Sequence, residues 1–192
     1  ALELPARLQG LELWMRQMEE SVNLMIENML HDGRVSILLL NILVIAVLAG
    51  VSEELLFRGL LLKLFYRWLS KKDLGEKEKS AAAFPQNRQH FHAAVWLTAL
   101  LFSAIHLQFY GFLPRLLLGA ALGYICAYGG LWAAILAHSA NNTLAILAYP
   151  GQPYNEGWQW VSALNETGSG EVSLPVVIVC SALAVGLLRL MQ

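Results

Sequence analysis

Six polar side chains have types and spacings that suit chemistry: Glu53, Glu54, Arg58, His106, His138 and Asn142. Glu54 and Arg58 are four residues apart with the acid first, the better order for an ion pair on one helix face. That pairing neutralises Glu54. Glu53 points about 100° further round the helix and is left to face a different neighbour. A carboxylate partly withdrawn from water suits general-base work. Phe102 and His106 share a face at the same four-residue spacing, as do His138 and Asn142. One such His or Asn, taken alone, reads as a packing residue or a helix–helix hydrogen bond. Two acids, an Arg, two His and an Asn on three apolar stretches read as a site.

Those stretches must cross a membrane. The chain has 192 residues, 57% hydrophobic and 14% charged, against about 25% charged in a soluble domain. Apolar runs at 35–68, 91–107, 112–128, 131–149 and 172–190 predict about five spans. The fold class expected is an all-α polytopic membrane helical bundle. Ionisable groups at membrane depth, with Arg115 added to those above, must face the bundle interior. The first run is longer than a bilayer needs, so its helix is expected to tilt, to kink near Gly50 or Gly59, or to project beyond the lipid. Gly129-Gly130 predicts a tight turn between the third and fourth spans.

Residues 1–31 carry Leu4, Leu8, Leu11, Met15, Met18, Val22, Met25 and Met29 on one helical stripe. The polar face is acidic, whereas an interfacial anchor is rich in Lys and Arg. This amphipathic segment is expected to pack on other protein segments rather than span. His31-Asp32-Gly33-Arg34 breaks it. Residues 35–149 form the membrane core, 150–171 a polar loop and 172–190 a final span. Loop 70–92 holds five Lys or Arg and loop 150–171 none, so the first is predicted cytoplasmic. Five full crossings then put residues 1–31 outside and Arg189 inside. The chain begins with Ala and no signal peptide precedes the first span, so a fragment lacking earlier residues is expected.

The formal net charge of −1 and the lack of a basic stripe exclude a nucleic-acid partner. Cys126 and Cys180 sit in apolar runs without CxxC spacing and read as packing residues. His90 and His92, two residues apart at the end of a polar loop, do not share a helix face and make a poor ligand pair.

The order Glu53-Glu54-x-x-x-Arg58, Phe102-x-x-x-His106, His138-x-x-x-Asn142 resembles the three motifs of the CPBP intramembrane proteases. These are also called the CAAX protease and bacteriocin-processing, or Abi, family, and include the Rce1-type prenyl-protein proteases. The resemblance covers about residues 35–149 and implies an endopeptidase acting on membrane-associated or membrane-delivered peptides. It implies Glu53 as general base, His106 as holder of the attacking water, and His138 with Asn142 as oxyanion donors. Glu54 and Arg58 would be mainly structural, and Phe102 would pack against the site. The implied partners are a peptide or protein substrate and the lipid bilayer, and the implied location is a bacterial inner membrane. Metal-independent chemistry with no cofactor is preferred. The alternative is zinc held by Glu53, His106 and His138, since a Glu and two His are a reasonable zinc set. From another class, a proton-coupled transporter also uses intramembrane Glu and His, and a non-catalytic immunity protein could use the fold to bind a peptide. Substrate identity and oligomeric state are not legible.

Overall fold

A computed structural model describes residues 8–70 and 88–149. Loop 150–171, the final span 172–190 with Cys180, and most of loop 70–92 lie outside the described residues. The described chain is helical, in four elements: α1 (Gln9–Leu30), α2 (Val35–Leu69), α3 (Arg88–Ala104) and α4 (Phe112–Leu147). No strand occurs among the described residues.

The break between α1 and α2 falls at residues 31–34, where side chains compete with helical hydrogen bonding. Asp32 accepts the Arg34 backbone N–H at 3.0 Å and its guanidinium at 2.6 Å. The Arg34 side chain, then its backbone N–H, hold the exposed Asp32 carboxyl down at about 2.

In α2 the long apolar run stays helical throughout. Gly50 and Gly59 do not leave the helix; the departure from α geometry is two π-helical stretches, Ile42–Leu48 and Leu55–Leu61. They flank the short α-helical piece Ala49–Glu54, which carries both glutamates. Such stretches concentrate at functional sites.

Gly130 breaks α4 with φ 82° and ψ 169°, a conformation that favours glycine. The break is a reversal, and two contacts prove it. In one continuous helix Gly119 and His138 would lie about 28 Å apart. Yet the Gly119 carbonyl accepts from Arg58 at 2.8 Å and His138 bonds Glu54 at 2.8 Å, and Glu54 and Arg58 are one helical turn apart. The two arms of α4 therefore fold back on each other. The later arm runs antiparallel to α2, with Asn142 against Ile45 and His138 against Glu54. The earlier arm runs antiparallel to α3.

Close approach explains where small residues sit. A Cβ at Gly119 would stand 3.1 Å from Phe102 Cδ1 and 3.2 Å from the Ala99 backbone. One at Gly50 would stand 2.8 Å from Ser139 Oγ. A packed cluster of Leu62, Phe91, Ala94, Val95, Ala99 and Ala120 joins α2, α3 and the first arm of α4. A second, of Leu30, Ala46 and Ile146, ties the end of α1 to α2 and the second arm.

The distribution of polarity is inverted relative to a water-soluble protein. Arg58 is 1% exposed and Glu54 fully buried, while Leu39 is 61% and Leu136 69% exposed. Charges inside and leucines outside are what lipid demands. Two helices, Val35–Leu69 and Phe112–Leu147, are long and apolar enough to cross a membrane, their most apolar 18-residue stretches having mean hydropathy 2.6 and 1.6. Four of the five expected stretches fall among the described residues: α4 holds two of them around one reversal, and α3 has only 17 residues, the short end of what a span requires; the fifth lies outside the described residues. The chain is an integral membrane protein.

Candidate active site

The site is built on the middle of α2. Glu53 lies about 25 Å from either end of that helix. Its Oε2 is 4.0 Å from His106 Nε2, just past the end of α3, and 3.7 Å from His138 Nε2, in the second arm of α4. One carboxylate and two imidazoles thus converge from three elements. Glu53 and His106 are 27% and 29% exposed at their side chains and His138 3%, while the Glu53 Oε2 atom that faces both imidazoles is buried.

The far side of each imidazole is tied down. His106 Nδ1 lies 2.7 Å from the Phe102 carbonyl, which only accepts, so Nδ1 carries the proton. His138 Nδ1 donates to Glu54 Oε1 at 2.8 Å. In the neutral rings both Nε2 atoms are therefore lone pairs facing Glu53.

Glu54 has two partners through one oxygen. Its Oε1 accepts from His138 and from the Arg58 guanidinium. Arg58 also donates to the Gly119 carbonyl at 2.8 Å, which fastens the first arm of α4 to α2. Phe102 is the apolar hub. The Arg58 guanidinium sits 4.9 Å from its ring centroid, and the rings of Phe57, His106 and His138 lie at 5.1, 4.9 and 5.7 Å in edge-on geometry. Asn142 sits one turn beyond His138. Its Nδ2 donates to the Ile45 carbonyl at 3.3 Å, so it touches the backbone of α2 and not the Glu53 carboxylate.

His90 and His92 lie in the first turns of α3, away from this cluster. His92 Nδ1 pairs with the Tyr124 hydroxyl at 2.9 Å. Arg115 is the residue whose place the sequence left unassigned. It bonds Gln108 through both the side-chain and backbone oxygens, within electrostatic reach of Glu53 and His106. The available signal was an Arg inside an apolar run.

A family description, the type II CAAX prenyl endopeptidase, Rce1-like, matches residues 35–144, more than half of the chain and all of this site. The chain belongs to that family. No curated protein and no solved structure matches it. The Rce1-like family is a protease family, so the chain is a peptidase, and peptides or proteins are its substrates. The Glu53, His106 and His138 cluster lies inside the matched Rce1-like segment, whereas α1 lies before it.

Proposed function

We propose that the chain is an intramembrane endopeptidase in which Glu53 activates water against a peptide bond of a membrane-anchored substrate. The observation that carries this reading is the approach of Glu53 Oε2 to two Nε2 atoms whose rings are held from behind. Separations of 3.7 and 4.0 Å are too long for direct hydrogen bonds, and the reading requires a water to be admitted to the buried Oε2. Glu53 takes a proton from that water while His106 Nε2 orients it. The oxygen adds to the scissile carbonyl, and negative charge moves to the carbonyl oxygen.

An oxyanion needs donors. With Nδ1–H committed to Glu54, His138 donates through Nε2 only when that nitrogen also carries a proton, and Glu54 holds the ring from behind as the carboxylate of a Ser-His-Asp triad does. This gives Glu54 a positioning part in addition to its pairing with Arg58. Asn142 is the second donor proposed. Collapse of the intermediate breaks the C–N bond, and the proton on Glu53 passes to the leaving amine.

Zinc chemistry needs ligands about 2.0–2.2 Å from the ion. Glu53, His106 and His138, the two Nε2 atoms lying 4.0 and 3.7 Å from Glu53 Oε2, are the residues that would hold such an ion and its activated water, and no step here is routed through one. The substrate class proposed is a lipid-anchored peptide tail, of which a prenylated CAAX peptide is the first to try. The location proposed is a bacterial inner membrane with loop 70–92 cytoplasmic. The deciding experiment compares wild type and Glu53→Gln, purified and reconstituted in lipid nanodiscs, on a fluorogenic prenylated CAAX peptide. Cleavage by the wild type alone supports the reading; equal cleavage by the variant sinks it.

A further inference from the structure

Leu107, the residue after His106, has φ 55°. A branched, non-glycine residue in the left-handed region is strained and persists only where its surroundings impose it. The surroundings are supplied from two sides. At the base of the loop, Ser103 Oγ donates to the Phe112 carbonyl at 2.7 Å, and Arg115 grips Gln108. At its tip the partner is α1. The Tyr110 backbone N–H donates to Glu19 Oε2 at 3.1 Å, and Gln108 Nε2 donates to Asn23 Oδ1 at 3.4 Å. Trp14 packs on Phe109 with centroids 5.4 Å apart, and the Arg16 guanidinium lies 5.9 Å from the Tyr110 ring.

We propose that α1 is a clamp on the loop 105–111 and that Glu19 and Asn23 are positioning residues that hold His106 against Glu53. The proposal rests on the hydrolytic reading of the site and gives the acidic helix, which precedes the matched family segment, a part in the reaction. It also accounts for which side of α1 is used. Much of its apolar stripe is exposed, Leu11 and Met25 included, while Glu19 and Asn23 reach the loop.

The test uses Glu19→Ala/Asn23→Ala in the full chain, in nanodiscs, with two readouts. The first is amide hydrogen exchange, which needs no substrate. Protection over 105–111 should fall while that of 53–58 is unchanged. The second is turnover of the prenylated CAAX peptide. Misplacing His106 should lower kcat by about 10- to 100-fold, with KM unchanged because substrate contacts are intact. The conservative pair Glu19→Gln/Asn23→Asp keeps both acceptor oxygens and should restore kcat. Unchanged exchange over 105–111 overturns the clamp. Loss of protection with wild-type kcat overturns the positioning of His106. A wild type without peptidase activity brings down the hydrolytic reading, and the catalytic part of this proposal with it; exchange still decides whether α1 holds the loop.

Discussion

His138 and Glu54, 84 residues apart in the chain, share a hydrogen bond of 2.8 Å, buried from solvent on both sides. The same Glu54 oxygen accepts from Arg58. One carboxylate thereby joins a structural ion pair to the imidazole proposed as oxyanion donor, and the two duties are separable by mutation. Glu54→Gln leaves the buried Arg58 without its counter-charge, a change that costs about 3–5 kcal/mol where a buried pair is broken. Replacing both residues by apolar ones of similar volume, Glu54→Leu/Arg58→Met, removes the stranded charge and should recover much of the thermal stability. Activity should not recover, because the His138 ring has lost the carboxylate that holds its Nδ1. A double variant that is both stable and active would show that Glu54 only holds the helices together.

Glu53→Gln tests the base itself. Glu53 makes no ion pair with Arg58, and its Oε2 accepts no hydrogen bond from a described side chain. Loss of the charge should leave the melting temperature near that of the wild type. Turnover should fall by about 10²–10⁴-fold, the usual share of a general base. A melting temperature that dropped with the activity would mean the carboxylate is structural.

His138→Ala and Asn142→Ala should differ. Removing one oxyanion donor costs about 10²–10³-fold in kcat. His138 faces Glu53 directly, whereas Asn142 is engaged with the Ile45 carbonyl. The larger kcat loss is expected at His138, and Asn142→Ala should show a smaller loss together with reduced stability. Equal kcat losses at unchanged stability would place both side chains on the oxyanion.

The parts of this site that were legible beforehand are those set by spacing along one helix. Glu54 with Arg58 and Phe102 with His106 follow from the four-residue repeat, and the reversal at Gly130 from paired glycines. The Glu54–His138 bond was not legible, because nothing in either segment encodes which face of α4 meets α2. The π stretches in α2 leave no mark either, since the same apolar residues fit both helical forms. Leu107 is the extreme case: leucine has no preference for a left-handed backbone, and the contacts beside it, from α1, Ser103 and Arg115, all come from outside its own segment. Local pattern thus names the polar groups that the structure brings together, and long-range packing decides what each is bonded to.

Chelation addresses the choice between water activated by Glu53 and water activated on zinc. Hydrolysis by the purified chain is expected to survive exhaustive treatment with a strong chelator, and elemental analysis should find no stoichiometric zinc. Activity lost on chelation and regained with zinc alone would replace the proposed mechanism.

The turn before α2 gives a prediction in pH. Hydrogen bonds from Arg34 pull the Asp32 carboxyl down to about 2, from about 3.9 in an unstructured chain. A folded-state value below the unfolded one contributes stability that is complete above the unfolded value and lost as pH falls through the folded one. The turn should therefore stay paired at every pH from neutral down to about 4, and fail only in stronger acid. Carboxyl NMR of Asp32 should titrate near 2 in the wild type and move up to about 3.9 in Arg34→Ala. Because Asp32 and Arg34 are exposed, this change should leave the position of α2 and the activity at Glu53 untouched. A midpoint near the unfolded value in the wild type would mean that Arg34 does not hold the carboxylate in the membrane-embedded protein.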